Sequence, residues 1–133
     1  MAGNERGWVL IDALIGLVIV SIALTALAIA YRQSVVVTVS ASNQARAVYV
    51  AQQAVENLKI HDGANQTQFA GYVTALNIVK PVDGVTFTAT AAEFADAEVA
   101  ALSPRLRPVR VTVAWTEPGG NRSINMTSYF YCK

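Results

Sequence analysis

The sequence has only one cysteine, Cys132, so no disulfide can form within its 133 residues. An unpaired cysteine can be a buried small apolar side chain, a free thiol or a link to another chain. We favour burial, because cysteines without a disulfide partner are usually buried.

Charge is also scarce. Charged residues make up 14% of the chain and the net charge is +1, which argues against a general binder of polyanions. The one histidine, His61, lies far in sequence from Cys132, and the sequence has no glycine-rich phosphate loop, cluster of metal ligands or nucleophile elbow. We therefore expect that the protein is not an enzyme and has no catalytic residue, metal site or cofactor.

The other polar residues that are candidates for a site have simpler interpretations. His61 follows a predicted helix, where a histidine is favourable at the negative end of the helix dipole. The spacing of three acids matches no calcium-binding loop, so we expect a solvated surface at Asp62, Asp83 and Asp96. Three arginines lie near Trp115, a predicted core residue: Arg105, Arg107 and Arg110. They are predicted to lie on two different faces of a strand. We therefore expect a solvated strand edge there and no nucleic-acid binding.

One long apolar run is present, from Trp8 to Tyr31, and it spans 24 residues. As a helix it would be roughly 36 Å long, enough to cross the ~30 Å hydrocarbon core of a bilayer with some tilt. Residues 13–30 carry no charge, and their only polar side chains are Ser21 and Thr25, which can donate hydrogen bonds back into a helix. The run predicts a single membrane-spanning helix.

Asp12 is the one acid in this run. An ionisable residue in a membrane segment costs on the order of 2–3 kcal/mol at the centre of the span, and less near its end, so it needs a partner. Cleavage after Gly7 would create a free amine on Trp8, one helical turn before Asp12. In a bundle of such helices, the amine of one chain can meet the carboxylate of another in apolar surroundings, where their attraction is strong.

A short polar leader ends in Gly7, and an aromatic residue, an aliphatic triplet and an acid at the fifth position follow it: Trp8-Val9-Leu10-Ile11-Asp12. This segment resembles the prepilin-type cleavage and methylation segment of type IV pilins and type II secretion pseudopilins. The resemblance implies that a prepilin peptidase cuts between Gly7 and Trp8 and methylates the new amine of Trp8. It also implies that Asp12 takes the assembly role of the family's acid.

Three departures from the family pattern are visible. Trp8 stands where Phe is usual, Asp12 is shorter than the usual Glu, and no proline interrupts the helix. Many major pilins carry such a proline, so the last departure favours a minor subunit.

Two alternatives remain for the first 30 residues. An ordinary secretory signal would be cut near Ala28-Ile29-Ala30, and a signal anchor would stay uncut. Against the first, the apolar stretch is longer than the usual 7–15 residues and contains Asp12 near its front. Basic residues lie on both sides of the apolar run, so they do not decide the orientation of the helix in the membrane. The resemblance implies a precursor in the cytoplasmic (inner) membrane, with one span and the head outside the cytoplasm.

Beyond Tyr31 the helix is predicted to continue to about Ile60, because residues 32–60 contain no Gly or Pro. Apolar residues recur there at spacings of three and four, typical of one helical face: Val37, Ala41, Ala45, Val48, Ala51, Val55 and Leu58. The opposite, polar side is predicted at Ser40, Asn43, Gln44, Arg46, Gln53, Glu56 and Lys59. Gly63 can end the helix.

Strand patterns dominate the second half of the chain. Residues 85–90 alternate with Val85, Phe87 and Ala89 on one face, and residues 109–116 and 124–131 form a hairpin with the apolar row Val109, Val111, Val113 and Trp115. Residues 66–78 predict a short helix or packed loop, residues 80–84 a turn, and residues 91–102 an ambiguous segment or short helix. The sum is an α+β fold: a long N-terminal helix whose second half carries an antiparallel sheet of about three strands, as in pilins.

Taken together, the sequence predicts a leader (1–7), a transmembrane and assembly helix (8–31) and a pilin-like head (32–133). The function we expect is that of a minor pilin or pseudopilin, a structural subunit of a type IV pilus or type II secretion-like filament. Its partners would be prepilin peptidase, other pilin or pseudopilin subunits and the membrane. The alternative is a membrane-anchored or secreted binding module that does not polymerise.

Overall fold

The computed structural model describes the backbone of residues 5–133 and the side chains of residues 7–133. The first four residues of the predicted leader lie outside this range. The elements, in chain order, are α1 (Glu5–Lys59), α2 (Gln66–Ala75), β1 (Asn77–Val82), β2 (Val85–Glu93), α3 (Ala97–Leu102), β3 (Leu106–Glu117) and β4 (Gly120–Tyr131). The strands form one antiparallel sheet in the order β1-β2-β3-β4. The predicted α+β fold, with a long N-terminal helix and an antiparallel sheet, is confirmed, and the sheet has four strands.

The chain divides into two compact units, one ending at Ser40 and the other running from Ala41 to Lys133. In the first unit α1 is exposed on every side from Gly7 to Val39. In the second unit α1 is amphipathic and buries one face against the sheet, which makes residues 41–133 the globular head.

The core of the head lies between the sheet and α1. The predicted inward rows of the sheet are confirmed. Val85 is half-buried against the core, and the remaining members are buried: Phe87, Ala89, Val109, Val111, Val113 and Trp115. Small alanine side chains on α1 allow the sheet to approach closely, and Phe69 and Val73 of α2 complete the core. The ring centroids of Phe69 and Phe130 lie 5.2 Å apart, and those of Phe87 and Trp115 lie 5.8 Å apart.

The buried face of α1 differs from the predicted one. The structure buries Asn43, Ala47, Val50, Ala51, Ala54, Val55 and Leu58. Of the predicted face, only Ala51, Val55 and Leu58 are buried, and the other members are exposed: Val37, Ala41, Ala45 and Val48. The prediction that Asn43 lies on the polar, exposed side of α1 is wrong as well, because this residue is buried. The error is a rotation about the helix axis, and it arises because several alanines make two faces of the helix nearly equal in apolarity.

The segment before β2 also differs from its prediction. Residues 80–82 belong to a strand, and the turn is shorter, formed by Asp83 (φ 48°) and Gly84 (φ 80°). Two consecutive residues with positive φ make the two-residue hairpin turn that matches strand twist. Pro81 is compatible with β1 because this strand lies at the sheet edge.

Candidate functional site: the N-terminal segment of α1

The sequence-predicted site residues Gly7, Trp8 and Asp12 all lie in the first turns of α1. Trp8 is 73% exposed and Asp12 is exposed. Trp8 and Asp12 stand four residues apart, so they lie on the same side of the helix one turn apart. None of the ion pairs formed within residues 7–133 includes Asp12.

Large apolar side chains surround Asp12 and are exposed along the helix from Trp8 to Tyr31 and again from Val35 to Val39. Water is a poor environment for this surface, because a soluble monomer rarely exposes a contiguous apolar patch of more than a few hundred Å². By length and composition, α1 is able to cross a membrane, a property that signal sequences share.

The polar side chains within the apolar segment are satisfied by the helix itself. The Ser21 hydroxyl donates to the Leu17 carbonyl and the Thr25 hydroxyl to the Ser21 carbonyl, each at 2.8 Å. The prediction that both would bond back into the helix is confirmed. They therefore present no unpaired donor to lipid or to a neighbouring helix. The Asp12 carboxylate, in contrast, forms no hydrogen bond or ion pair with any side chain or backbone group of residues 7–133.

A buried carboxylate, that of Glu117, joins α1 to the C-terminal end of β3. The Glu117 carboxylate accepts hydrogen bonds from the Asn43 amide at 3.1 Å and from the Trp115 indole N–H at 2.8 Å. Its side chain is 6% exposed, and Arg122 approaches it to 3.9 Å. Sequence reasoning missed this group, because Asn43 and Glu117 lie 74 residues apart and neither belongs to a motif.

Further contacts join α1 to the β1–β2 hairpin. The Arg46 guanidinium pairs with the Asp83 carboxylate, and the Lys80 ammonium donates to the Gln53 side chain at 3.3 Å while lying 4.9 Å from the Tyr49 ring centroid. These contacts are largely exposed, and pairs of this kind contribute about 0–1 kcal/mol each. They close the β1 side of the helix–sheet interface.

The other acids considered in the sequence have separate structural partners. Asp62 accepts from the Tyr131 backbone N–H at 2.7 Å, Asp83 pairs with Arg46, and Asp96 caps the N-terminus of α3. The fold does not bring them together. Within the described part of the chain, no group of three His, Cys, Asp or Glu residues has an arrangement suited to a metal ion.

The basic residues are likewise dispersed among contacts. Arg105 donates to the Tyr131 hydroxyl at 2.9 Å, Arg107 to the Gln66 side chain at 2.6 Å, and the Arg110 guanidinium lies 4.5 Å from the Phe94 ring centroid. His61 stacks on Tyr72 with ring centroids 3.7 Å apart. Each arginine has its own neighbour, so the three do not form a continuous basic surface.

Cys132 is fully buried and has no disulfide, as the sequence analysis favoured. Burial raises the pKa of its thiol, with the Arg107 charge acting in the opposite direction. We expect iodoacetamide to alkylate Cys132 at least about tenfold more slowly in the folded chain than in urea, because the reactive thiolate is both scarce and inaccessible.

The raised pKa also has a consequence for stability. A folded state that holds the thiol proton more tightly gains stability at pH values below the ordinary thiol pKa, and this contribution is lost as pH rises through the raised pKa. In Cys132→Ala, the fall in stability over this alkaline window should be smaller than in the parent chain. Equal alkylation rates for folded and unfolded chain would contradict burial of the thiol.

No family model, curated protein or solved structure matches the chain.

Proposed function

We propose that the protein is a minor pilin or pseudopilin, made as a membrane precursor and assembled into a filament through the first half of α1. The observation that carries this proposal is an apolar helix surface, exposed from Trp8 to Tyr31, that contains one acid with no ion-pair partner among the described side chains. The residues around that acid, from Gly7 to Asp12, resemble the family's cleavage and methylation segment.

Two environments would cover this surface in succession, first the lipid bilayer and then the filament. In the precursor, lipid covers the helix of the cytoplasmic (inner) membrane, with the head outside the cytoplasm. In the filament, helices of neighbouring subunits replace lipid, and apolar side chains pack against one another. Van der Waals packing and polar pairing drive such association, because lipid and helix surfaces are equally apolar.

Asp12 would set the register of neighbouring helices. Cleavage after Gly7 creates a primary amine on Trp8, and methylation converts it into a secondary amine that retains the positive charge. An amine of one subunit paired with Asp12 of its neighbour stabilises one axial alignment of the helices, because any other alignment leaves a charge unpaired in apolar surroundings. The proposed role is structural and requires no catalytic group.

The first test is the mature N-terminus of the protein recovered from membranes of cells that contain a prepilin peptidase. We expect intact mass and N-terminal sequencing to show a chain that starts at methylated Trp8. In Gly7→Val the leader should remain attached. A side chain at Gly7 meets no atom within 4 Å, so the substitution tests recognition by the peptidase and leaves the fold intact.

Gly16→Ala is the matched control, because Gly16 lies in the same helix with equally open surroundings. This variant should be cleaved like the parent chain. A start at Tyr31 would identify a secreted soluble module, and an uncut Met1 in the presence of active peptidase would identify a plain membrane anchor. Either result would overturn the filament proposal.

A further inference from the structure

The outer edge of β4 has a row of backbone groups without partners. The Tyr131 N–H donates to Asp62 and the Tyr131 carbonyl accepts from the Gly63 N–H, each at 2.7 Å, so both groups point away from β3. This direction repeats at every second residue of an antiparallel strand. The same groups therefore point outwards at Asn121, Ser123, Asn125, Thr127 and Tyr129. Within the described residues, no hydrogen bond reaches the backbone N–H or carbonyl of these five. The side chains of Asn125 and Asn121 accept from the hydroxyls of Thr112 and Thr116 on β3.

The two edges of the sheet are protected differently. The β1 edge is six residues long and includes Lys80 and Pro81, which discourage pairing with another strand. β4 is twelve residues long, has neither lysine nor proline, and keeps one uninterrupted register with β3 from Leu106↔Tyr131 to Glu117↔Gly120. Proteins often prevent pairing at an open sheet edge with charged side chains, and β4 has one such residue, Arg122.

The inner face beside this edge is also open. An open recess of about 530 Å³ lies along α1 and reaches Met126 of β4. Val55 and Met126 are its apolar lining residues, and the rest of the lining is mostly polar, including Gln52, Gln53 and Asn57. Ile124 and Met126 are half-buried, unlike the fully buried row of β3. The charges at the recess, Glu56 and Lys59, pair with each other at 3.1 Å. The lining therefore carries no unpaired charge, and the recess favours uncharged side chains.

We propose that β4 binds an extended, uncharged segment of a different polypeptide, which adds to the sheet as a fifth strand. Only a polypeptide backbone supplies alternating donors and acceptors at the spacing of the outward backbone groups on these five residues. Alternate side chains of the segment would enter the recess next to Met126. The others would continue the polar outer face, where Ser123, Asn125 and Thr127 are exposed.

A second copy of the chain fits this edge less well. Antiparallel pairing of two β4 strands places a two-fold axis perpendicular to the sheet, and α1 then runs in opposite directions in the two copies. Two chains inserted into one membrane in one orientation have parallel helices. Parallel pairing of the outer edges would place the apolar inner face of one sheet beside the polar outer face of the other.

The test uses the full chain in lipid nanodiscs and a nine-residue synthetic peptide that alternates threonine and valine. Methylation of its valine amides leaves one edge free and prevents aggregation. We expect bound peptide to slow hydrogen exchange at the Ser123, Asn125 and Thr127 amides by at least about tenfold. A peptide of the same sequence with every amide methylated should give no protection.

Asn125→Pro removes an outward N–H and leaves the bonds between β3 and β4 in place. We expect it to raise the peptide Kd by at least about tenfold, whereas Asn125→Ala should change it by less than about twofold. Near-UV circular dichroism verifies the fold of each variant, and the methylated peptide tests the proposal even if the proline variant unfolds.

Three results would overturn the proposal. The first is that the peptide with one free edge does not bind at millimolar concentration, and the second is that both peptides bind equally well. The third is that, without any peptide, protection of the same amides increases with the density of the chain in the nanodiscs. The last would identify a second copy as the occupant. None of these results bears on cleavage at Gly7, so this proposal and the filament proposal fail independently.

Discussion

Asp12→Ala is expected to abolish recovery of the chain in sheared filaments while the chain still inserts into the membrane and is still cut after Gly7. The substitution leaves the Trp8 amine of a neighbouring subunit without its carboxylate in apolar surroundings. Breaking one side of a buried ion pair costs about 3–5 kcal/mol, which is enough to lower incorporation by more than about a hundredfold. Immunoblots of the sheared, membrane and soluble fractions measure the distribution.

Failed insertion cannot explain such a loss, because removal of an acid makes a membrane segment more apolar. Asp12→Glu keeps the charge and has the residue usual in the family, so it should restore incorporation. Ser21→Ala is a matched control in the same helix, since the Ser21 hydroxyl bonds only to its own helix. Parental incorporation of Asp12→Ala, in a chain that starts at Trp8, would contradict the assembly role.

Glu117→Ala is expected to lower the free energy of unfolding of the head by about 2–4 kcal/mol. The substitution removes the acceptor for two donors on nearly buried residues, the Asn43 amide and the Trp115 indole N–H. A buried donor without an acceptor costs about 1–3 kcal/mol. Arg122 contributes little to this figure, because its side chain is 58% exposed.

The measurement is thermal or urea unfolding of the full chain in nanodiscs, followed by Trp115 fluorescence in a Trp8→Phe background. The chain has two tryptophans, so this background isolates the signal of the head. Glu117→Gln keeps an oxygen acceptor and should cost less than half as much as the alanine variant. Equal losses in both variants would show that the carboxylate charge, not the two hydrogen bonds, stabilises the head.

Much of the fold could be predicted because the information is local. The apolar run from Trp8 to Tyr31 and the glycine-free, proline-free segment after it determine a long helix. Strict alternation in β3 predicts its buried row from Val109 to Trp115, and the structure confirms each member. The position of Asp12 within the apolar run, and therefore the candidate site, is likewise a property of a few neighbouring residues.

The identity of the buried face of α1 could not be predicted in the same way. Alanines recur on both the predicted face and the observed one, so their apolarity differs little. The sheet selects the face through contacts with residues far along the chain. Asn43 occupies the buried face because Glu117, at the end of β3, accepts its amide hydrogen bond.

By itself, the sequence determined an apolar N-terminal helix with one acid, an amphipathic continuation and strands with one apolar row, since each follows from side-chain period along a short stretch. Only the tertiary structure decided the rotation of α1 against the sheet, the pairing of β1 despite Pro81, and the open outer edge of β4. These features depend on which distant segments become neighbours. Packing and hydrogen-bond geometry choose among arrangements that local patterns leave nearly equal in free energy.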